Sequence, residues 1–110
     1  MDSLKAIKEC VRIARGSKRL PQIGPCSTAH LVSMLERVTL YPEDFSEGKI
    51  NRWLGYIQGV LVSYGVRDLV EMKLINKRCS DKFTPEQEKQ IQDALNLIHP
   101  DSDKSYEENR

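Results

Sequence analysis

The sequence lacks the features that mark several common protein classes. Only 6% of its 110 residues are aromatic, and no apolar run approaches the roughly 18 residues of a membrane-spanning helix. The N-terminus has no uninterrupted apolar stretch of the kind found in signal peptides. Its three cysteines, Cys10, Cys26 and Cys79, are an odd number without a C-x-x-C pair, which is typical of reduced thiols. We therefore expect a single cytoplasmic domain.

Neither sign of charge is in large excess. The chain has 17 Lys and Arg against 16 Asp and Glu, a formal net charge of +1. Proteins that bind duplex nucleic acid usually carry a strong basic excess, so this balance disfavours that class. The charges are arranged in blocks, with net values of +4 over 1–30, −3 over 31–47, +4 over 48–79 and −4 over 80–110. The surface is therefore expected to be electrostatically polarised if the blocks separate in space.

Motifs that carry catalysis or bind cofactors are missing. The chain contains no G-x-x-x-x-G-K-[ST], no G-x-S-x-G and no H-E-x-x-H. Cys26 and His30 are spaced to share a helix face, but two ligands do not make a zinc site, and Cys79 and His99 would complete one only by a tertiary coincidence. We therefore predict no catalytic residue, no metal and no cofactor.

Apolar residues recur at helical spacing along the chain and predict an all-α fold of four or five short helices. We assign this domain to residues 1–99, followed by a flexible polar tail over 100–110. The predicted helix starts are Asp2 or Ser3, Ser27, Ser46, Asp68 and Thr84. The predicted ends are Gly16, Pro42, Gly65 and Pro100. Outside the third helix, the predicted inward residues are Leu4, Ile7, Val11, Ala14, Leu31, Met34, Leu35, Val38, Leu69, Met72, Ile75, Ile91, Ala94, Leu95 and Ile98.

The third helix, about 47–64, is predicted to be amphipathic and to lie at the centre of the fold. Its apolar stripe is Ile50, Trp53, Leu54, Ile57, Val60, Leu61 and Tyr64. Gly55 and Gly59 fall on the opposite side, although glycine inside a helix costs about 1 kcal/mol relative to alanine. Two explanations remain open: close packing of another helix of this chain, or a smooth face for a second subunit, a partner or a ligand.

The same helix contains the string R-W-L-G-x-x-Q-G-V-L over 52–61. It resembles a block in small uncharacterised proteins encoded by tailed bacteriophages and prophages. The resemblance is confined to this helix and, more loosely, to the turn and helix that follow. It implies a setting rather than an activity: an accessory protein in an infected bacterium, where such proteins often bind and block host factors, including defence systems.

These observations favour a non-catalytic binding protein that occupies a host or phage protein through its helix faces. The predicted partner-binding residues are Arg52, Gly55, Gln58 and Gly59. A homodimer through the same face is a further prediction.

The alternative is a protein that binds nucleotide or nucleic acid through the basic first helix and the loop and helix start over 16–30. The predicted phosphate-binding residues are Arg12, Arg15, Lys18, Arg19 and Ser27. A helix that begins at Ser27 would also present free backbone N–H groups to an anion. One form of this alternative is sequestration of a nucleotide signal in a pocket at a subunit junction.

Overall fold

The computed structural model describes residues 2–80 and 84–98, and over these ranges the chain forms five α-helices. They are α1 (Ser3–Arg15), α2 (Thr28–Leu40), α3 (Glu47–Ser63), α4 (Leu69–Arg78) and α5 (Pro85–Ile98), with a short 3₁₀ helix at Pro42–Asp44. No strand occurs in the described part of the chain, so the all-α prediction is confirmed. The predicted Pro100 stop and the predicted tail lie outside the described residues.

Each helix is capped at its start by a polar residue that the sequence predicted. The N–H groups in the first turn of a helix have no intrahelical acceptor, and a cap side chain satisfies one of them. Asp2 accepts from the backbone of Lys5 at 3.0 Å, and Ser46 accepts from that of Lys49 at 3.1 Å. The other caps are Ser27, the reciprocal pair Asp68 with Glu71, and the reciprocal pair Thr84 with Gln87.

The helix ends were also marked in the sequence. Gly65 follows α3 with a φ of +68°, the left-handed conformation that favours glycine. Gly16 follows α1 with a φ of −83°, so this helix ends without a left-handed turn. Pro42 opens the 3₁₀ helix directly after α2.

The core is built around α1 and α3 together rather than around α3 alone. α1 packs against α2, α3 and α4, and α5 packs against α4. The most deeply buried apolar side chains are Ala6, Ile7, Cys10, Val11, Ala14, Leu31, Val38, Ile57 and Leu61. Trp53, predicted to be core, is half-buried and stacks edge-on against Phe45 with ring centroids 4.8 Å apart.

Several predicted inward residues lie elsewhere. Leu69 is wrong as a core residue, because it is the first residue of α4 and is 60% exposed. Glu71 takes the inward position beside Met72 and is only 2% exposed. Tyr64, at the end of α3, is 40% exposed.

Three further inward predictions, Leu4, Leu35 and Ile50, are half-buried. Ile91, Ala94 and Leu95 of α5 are half-buried as well. Within the described residues, no helix has the length and apolar character needed to cross a membrane.

Candidate functional site

One long side of α3 is open to solvent, and we call it the glycine face. Its exposed residues are Gly48, Arg52, Gly55, Tyr56, Gly59 and Ser63. A Cβ atom placed on any of its three glycines would meet no atom within 4 Å. Close packing of another helix from the described part of the chain therefore does not explain these glycines. Of the two explanations left open by the sequence, the internal one is excluded for this part of the chain.

We expect alanine at Gly55 and Gly59 to stabilise the isolated protein. Each substitution restricts the unfolded chain and fills open space, which is worth about 0.5–1 kcal/mol per site. Urea unfolding of the double variant should show a higher midpoint. Gly65→Ala should instead lower the urea midpoint, because φ there is +68° and the new Cβ would lie 3.3 Å from Nη1 of Arg19. A double variant less stable than the native protein would mean that the glycines have a structural role in the monomer.

Tyr56 is held firmly at one edge of the glycine face. Its hydroxyl donates to the backbone carbonyl of Pro25, and its ring packs edge-on against His30 with centroids 6.3 Å apart. The side chain nevertheless remains 39% exposed. A rigid, partly exposed tyrosine is a common anchor in protein interfaces, because little side-chain entropy is lost when it is covered.

Gln58 is the predicted partner-binding residue that the fold itself engages. Its Nε2 donates to Oδ1 of Asn76 at 2.7 Å and lies 3.7 Å from Sγ of Cys10, while Nδ2 of Asn76 donates back to Oε1 at 3.3 Å. The side chain is half-buried. This amide pair connects α3 to α4, so Gln58 has a role within the fold, whereas Arg52, Gly55 and Gly59 are exposed.

The predicted phosphate-binding residues do not form one cluster. Arg12 and Arg15 are exposed on α1. Ser27 is buried, 3% exposed, and its hydroxyl donates to the carbonyl of Gly24 at 2.8 Å while accepting from the backbone of His30 at 3.1 Å. A serine hydroxyl has one hydrogen to donate, and here it is used within the fold. Two residues of this set, Lys18 and Arg19, line the same cavity.

That cavity, which we call the basic cavity, lies between the end of α1 and the turn from α3 to α4. It has a volume of about 290 Å³. Its lining is Ile13, Gly16, Ser17, Lys18, Arg19, Val66 and Arg67. Three of these side chains are cationic and none is a carboxylate. The basic cavity therefore brings three cationic side chains together in a chain that is almost neutral overall.

The three cations of the basic cavity are held in different ways. Arg67 donates through Nη1 to the carbonyl of Val66 at 2.8 Å, and its Nε lies 3.2 Å from Oε2 of Glu71. The guanidinium of Arg19 lies over Gly65, where a side chain would crowd it. Within the described residues, neither Lys18 nor Arg19 forms a side-chain ion pair.

Sequence reasoning missed Arg67 and Ser17. Arg67 comes two residues after the left-handed turn at Gly65, which marks a change of chain direction but does not show what the turn approaches. Ser17 lies within the basic loop, and its Oγ accepts from the backbone of Arg19 at 3.1 Å. Nothing in the spacing of these residues connects the two segments.

The cysteines are free thiols in three different environments. Burial raises the pKa of Cys10 to about 12, and burial also raises the pKa of Cys79, so neither thiol forms a thiolate near neutral pH. Cys26 is half-buried near the hydroxyl of Tyr56. Within residues 2–80 and 84–98, no group of three His, Cys, Asp or Glu side chains is placed to hold a metal ion. His99 lies outside the described residues.

Comparison of this chain with protein-family models, with curated proteins and with solved structures finds no match. The glycine face and the basic cavity are the two candidate surfaces in the described part of the chain.

Proposed function

We propose that this protein is a non-catalytic binding protein that holds a small phosphorylated ligand, such as a nucleotide, in the basic cavity. The observation that carries this proposal is the convergence of Lys18, Arg19 and Arg67 on one cavity whose lining contains no carboxylate. Cations near the end of a helix can simply complement its dipole, as Lys18 can after α1. Arg67 comes from a different helix junction, so its presence in the same cavity favours a ligand.

The chemistry of the lining favours phosphate over other anions. Arginine presents planar N–H donors that match phosphate oxygens, and charge-assisted bonds of this kind are stronger than neutral ones. Ser17 adds a hydroxyl to the same lining, while Ile13 and Val66 add apolar surface for the organic part of a ligand. A cavity of about 290 Å³ is at the small end of the range for ligand sites.

A small ligand fits this site better than a nucleic acid strand does. The cavity is concave, and its lining contains no aromatic side chain on which a base could stack. The net charge of +1 also gives little of the general attraction to a polyphosphate backbone on which duplex binding depends.

The test is an NMR titration of the ¹⁵N-labelled protein with inorganic phosphate and with AMP, at constant ionic strength. We expect saturable shifts of the amide signals of residues 16–19 and 65–67. The Lys18→Gln/Arg19→Gln variant should bind phosphate at least about tenfold more weakly, because hydrogen bonds to charged groups contribute about 1.5–3 kcal/mol each.

The matched control is Lys8→Gln/Lys77→Gln, which removes the same charge from exposed positions outside the cavity. Its phosphate affinity should stay within about twofold of the native value, since exposed distant charges are screened. Equally weakened phosphate binding in both double variants would contradict a specific site. Amide shifts with chloride as large as those with phosphate would contradict it as well. If the protein binds a DNA duplex more tightly than phosphate or AMP, with a steep salt dependence, its ligand is nucleic acid and not a small molecule.

The glycine face favours a second candidate function, binding of a protein partner. Its exposed glycines have no packing role in the described fold, and a smooth helix face allows a partner helix to approach closely. Arg52 and Tyr56 beside them are residue types enriched at interfaces. On the phage resemblance, we propose a cytoplasmic setting in the infected host. The partner is then a host protein, such as one of its defence system, or a second copy of this chain.

Gly59→Leu tests this second function. The new side chain enters open space, so the fold should be retained, while a partner helix would be held away from α3. We expect a protein captured stoichiometrically from a bacterial lysate by the native chain to be lost with Gly59→Leu. Lys73→Leu, which adds the same side chain at an exposed site on α4, should still capture it.

Light-scattering mass and thermal melting complete the test. A native dimer that becomes a monomer in Gly59→Leu would identify the partner as a second copy. A lower melting temperature of Gly59→Leu with an unchanged mass would indicate an internal role for the glycine. Capture of the same protein by Gly59→Leu would show that the partner binds elsewhere.

A further inference from the structure

Glu71 is a buried charge whose local role in the helix does not require a charge. Its Oε1 accepts from the backbone of Asp68 at 3.1 Å, and its own backbone donates to Oδ1 of Asp68 at 2.9 Å. Glutamine completes such a capping box as well as glutamate does. The side chain is 2% exposed, and burying a carboxylate is unfavourable unless it is paired. Capping of α4 therefore does not explain why a carboxylate is buried here.

An ion pair made by the second carboxylate oxygen of Glu71 explains the buried charge. Oε2 lies 3.2 Å from Nε of Arg67, whose side chain is 15% exposed and lines the basic cavity. The carbonyl of Val66 holds the same guanidinium through Nη1. The ion pair and this hydrogen bond hold the guanidinium at the junction of α3 and α4, beside the basic cavity.

We propose that Glu71 is a positioning residue that orients Arg67 toward a phosphate group in the basic cavity. This inference rests on the proposed function. Glu71 does not touch the ligand; it acts through Arg67, whose guanidinium plane it fixes by its contact with Nε.

Glu71→Gln separates positioning from simple electrostatics. The amide keeps an oxygen for the Asp68 N–H group but turns an N–H donor toward Arg67, so the guanidinium is released. Removing a negative charge near an anion site would by itself tighten binding. Positioning predicts the opposite, a phosphate affinity about five- to tenfold weaker, which corresponds to the loss of about one well-oriented hydrogen bond.

The experiment is a phosphate titration of the native protein, Glu71→Gln, Arg67→Gln and the double variant, each checked for folding by its amide spectrum. If Glu71 acts through Arg67, Glu71→Gln should have no further effect in the Arg67→Gln background, within about twofold. Asp68→Ala removes the cap from the same helix but keeps Glu71 and should bind phosphate as the native protein does.

The outcomes distinguish the two proposals. A native protein that does not bind phosphate would overturn the proposed function and the role of Glu71 with it. Native binding with unchanged or tighter binding in Glu71→Gln would overturn only the positioning role, as would equal weakening in Asp68→Ala. If Glu71→Gln does not fold, exchange of the Arg67 Nε proton in the native protein decides the matter: slow exchange with solvent supports the ion pair, and fast exchange overturns it.

Discussion

Leu61→Ala is expected to lower the free energy of unfolding by about 3 kcal/mol, the middle of the range for buried leucine. Leu61 is 0% exposed and belongs to the main core cluster, so the truncation removes apolar contacts and leaves a cavity. For a domain of this size the loss is a large part of the total stability. Urea unfolding followed by far-ultraviolet circular dichroism measures it.

Leu69→Ala is the matched control, since it makes the same chemical change at a residue that helical spacing also assigns to the core. Leu69 is 60% exposed, so we expect a change within about 0.5 kcal/mol. Comparable losses of unfolding free energy in the two variants would show that Leu69 is covered in solution, either by a rotated α4 or by a partner. A much smaller loss in Leu69→Ala supports the placement of α4 with Glu71 turned inward.

Ser27→Ala is expected to lower the free energy of unfolding by about 1–2 kcal/mol, the upper part of the range for a helix cap. The hydroxyl makes two hydrogen bonds within the fold and is 3% exposed, so water cannot easily replace it. Ser46→Ala removes the exposed cap of α3 and should lose about 0.5–1 kcal/mol, because water reaches the released N–H group.

The same variant tests whether Ser27 binds phosphate. If its role is to cap α2, Ser27→Ala should bind phosphate within about twofold of the native protein at a temperature where both are folded. Folded Ser27→Ala with strongly weakened phosphate binding would instead place the ligand at the start of α2, away from the basic cavity. The measurement therefore distinguishes a structural serine from a ligand-binding one.

Most of the fold could be predicted because its signals are local. A cap such as Asp68 acts on backbone groups three residues away, and the left-handed turn at Gly65 depends on its own φ angle. The prediction that Leu69 lies in the core was wrong, because the helical spacing of apolar residues does not show whether the first turn of a helix lies over the core or beyond it. Glu71 lies inward because its charge meets Arg67, a contact that no apolar pattern encodes.

The candidate sites were predicted only in part. Lys18 and Arg19 were identified as a basic loop, but Arg67 joins them only because the end of α1 and the turn after α3 come together. The sequence marked Gly55 and Gly59 as unusual without deciding between an inner and an outer face. Helix packing decides this, because α1 and α2 cover the apolar side of α3 and leave the glycines in open space.

The sequence by itself determined the helices, their caps and the near balance of positive and negative charge, since these follow from spacing and composition. The tertiary structure decided which face of α3 meets solvent, that Ser27 is buried, and that three cations share one cavity without a carboxylate in its lining. The physical reason is distance along the chain. Local hydrogen bonds and periodicity act over a few residues, whereas burial and charge convergence depend on how helices far apart in sequence pack against each other.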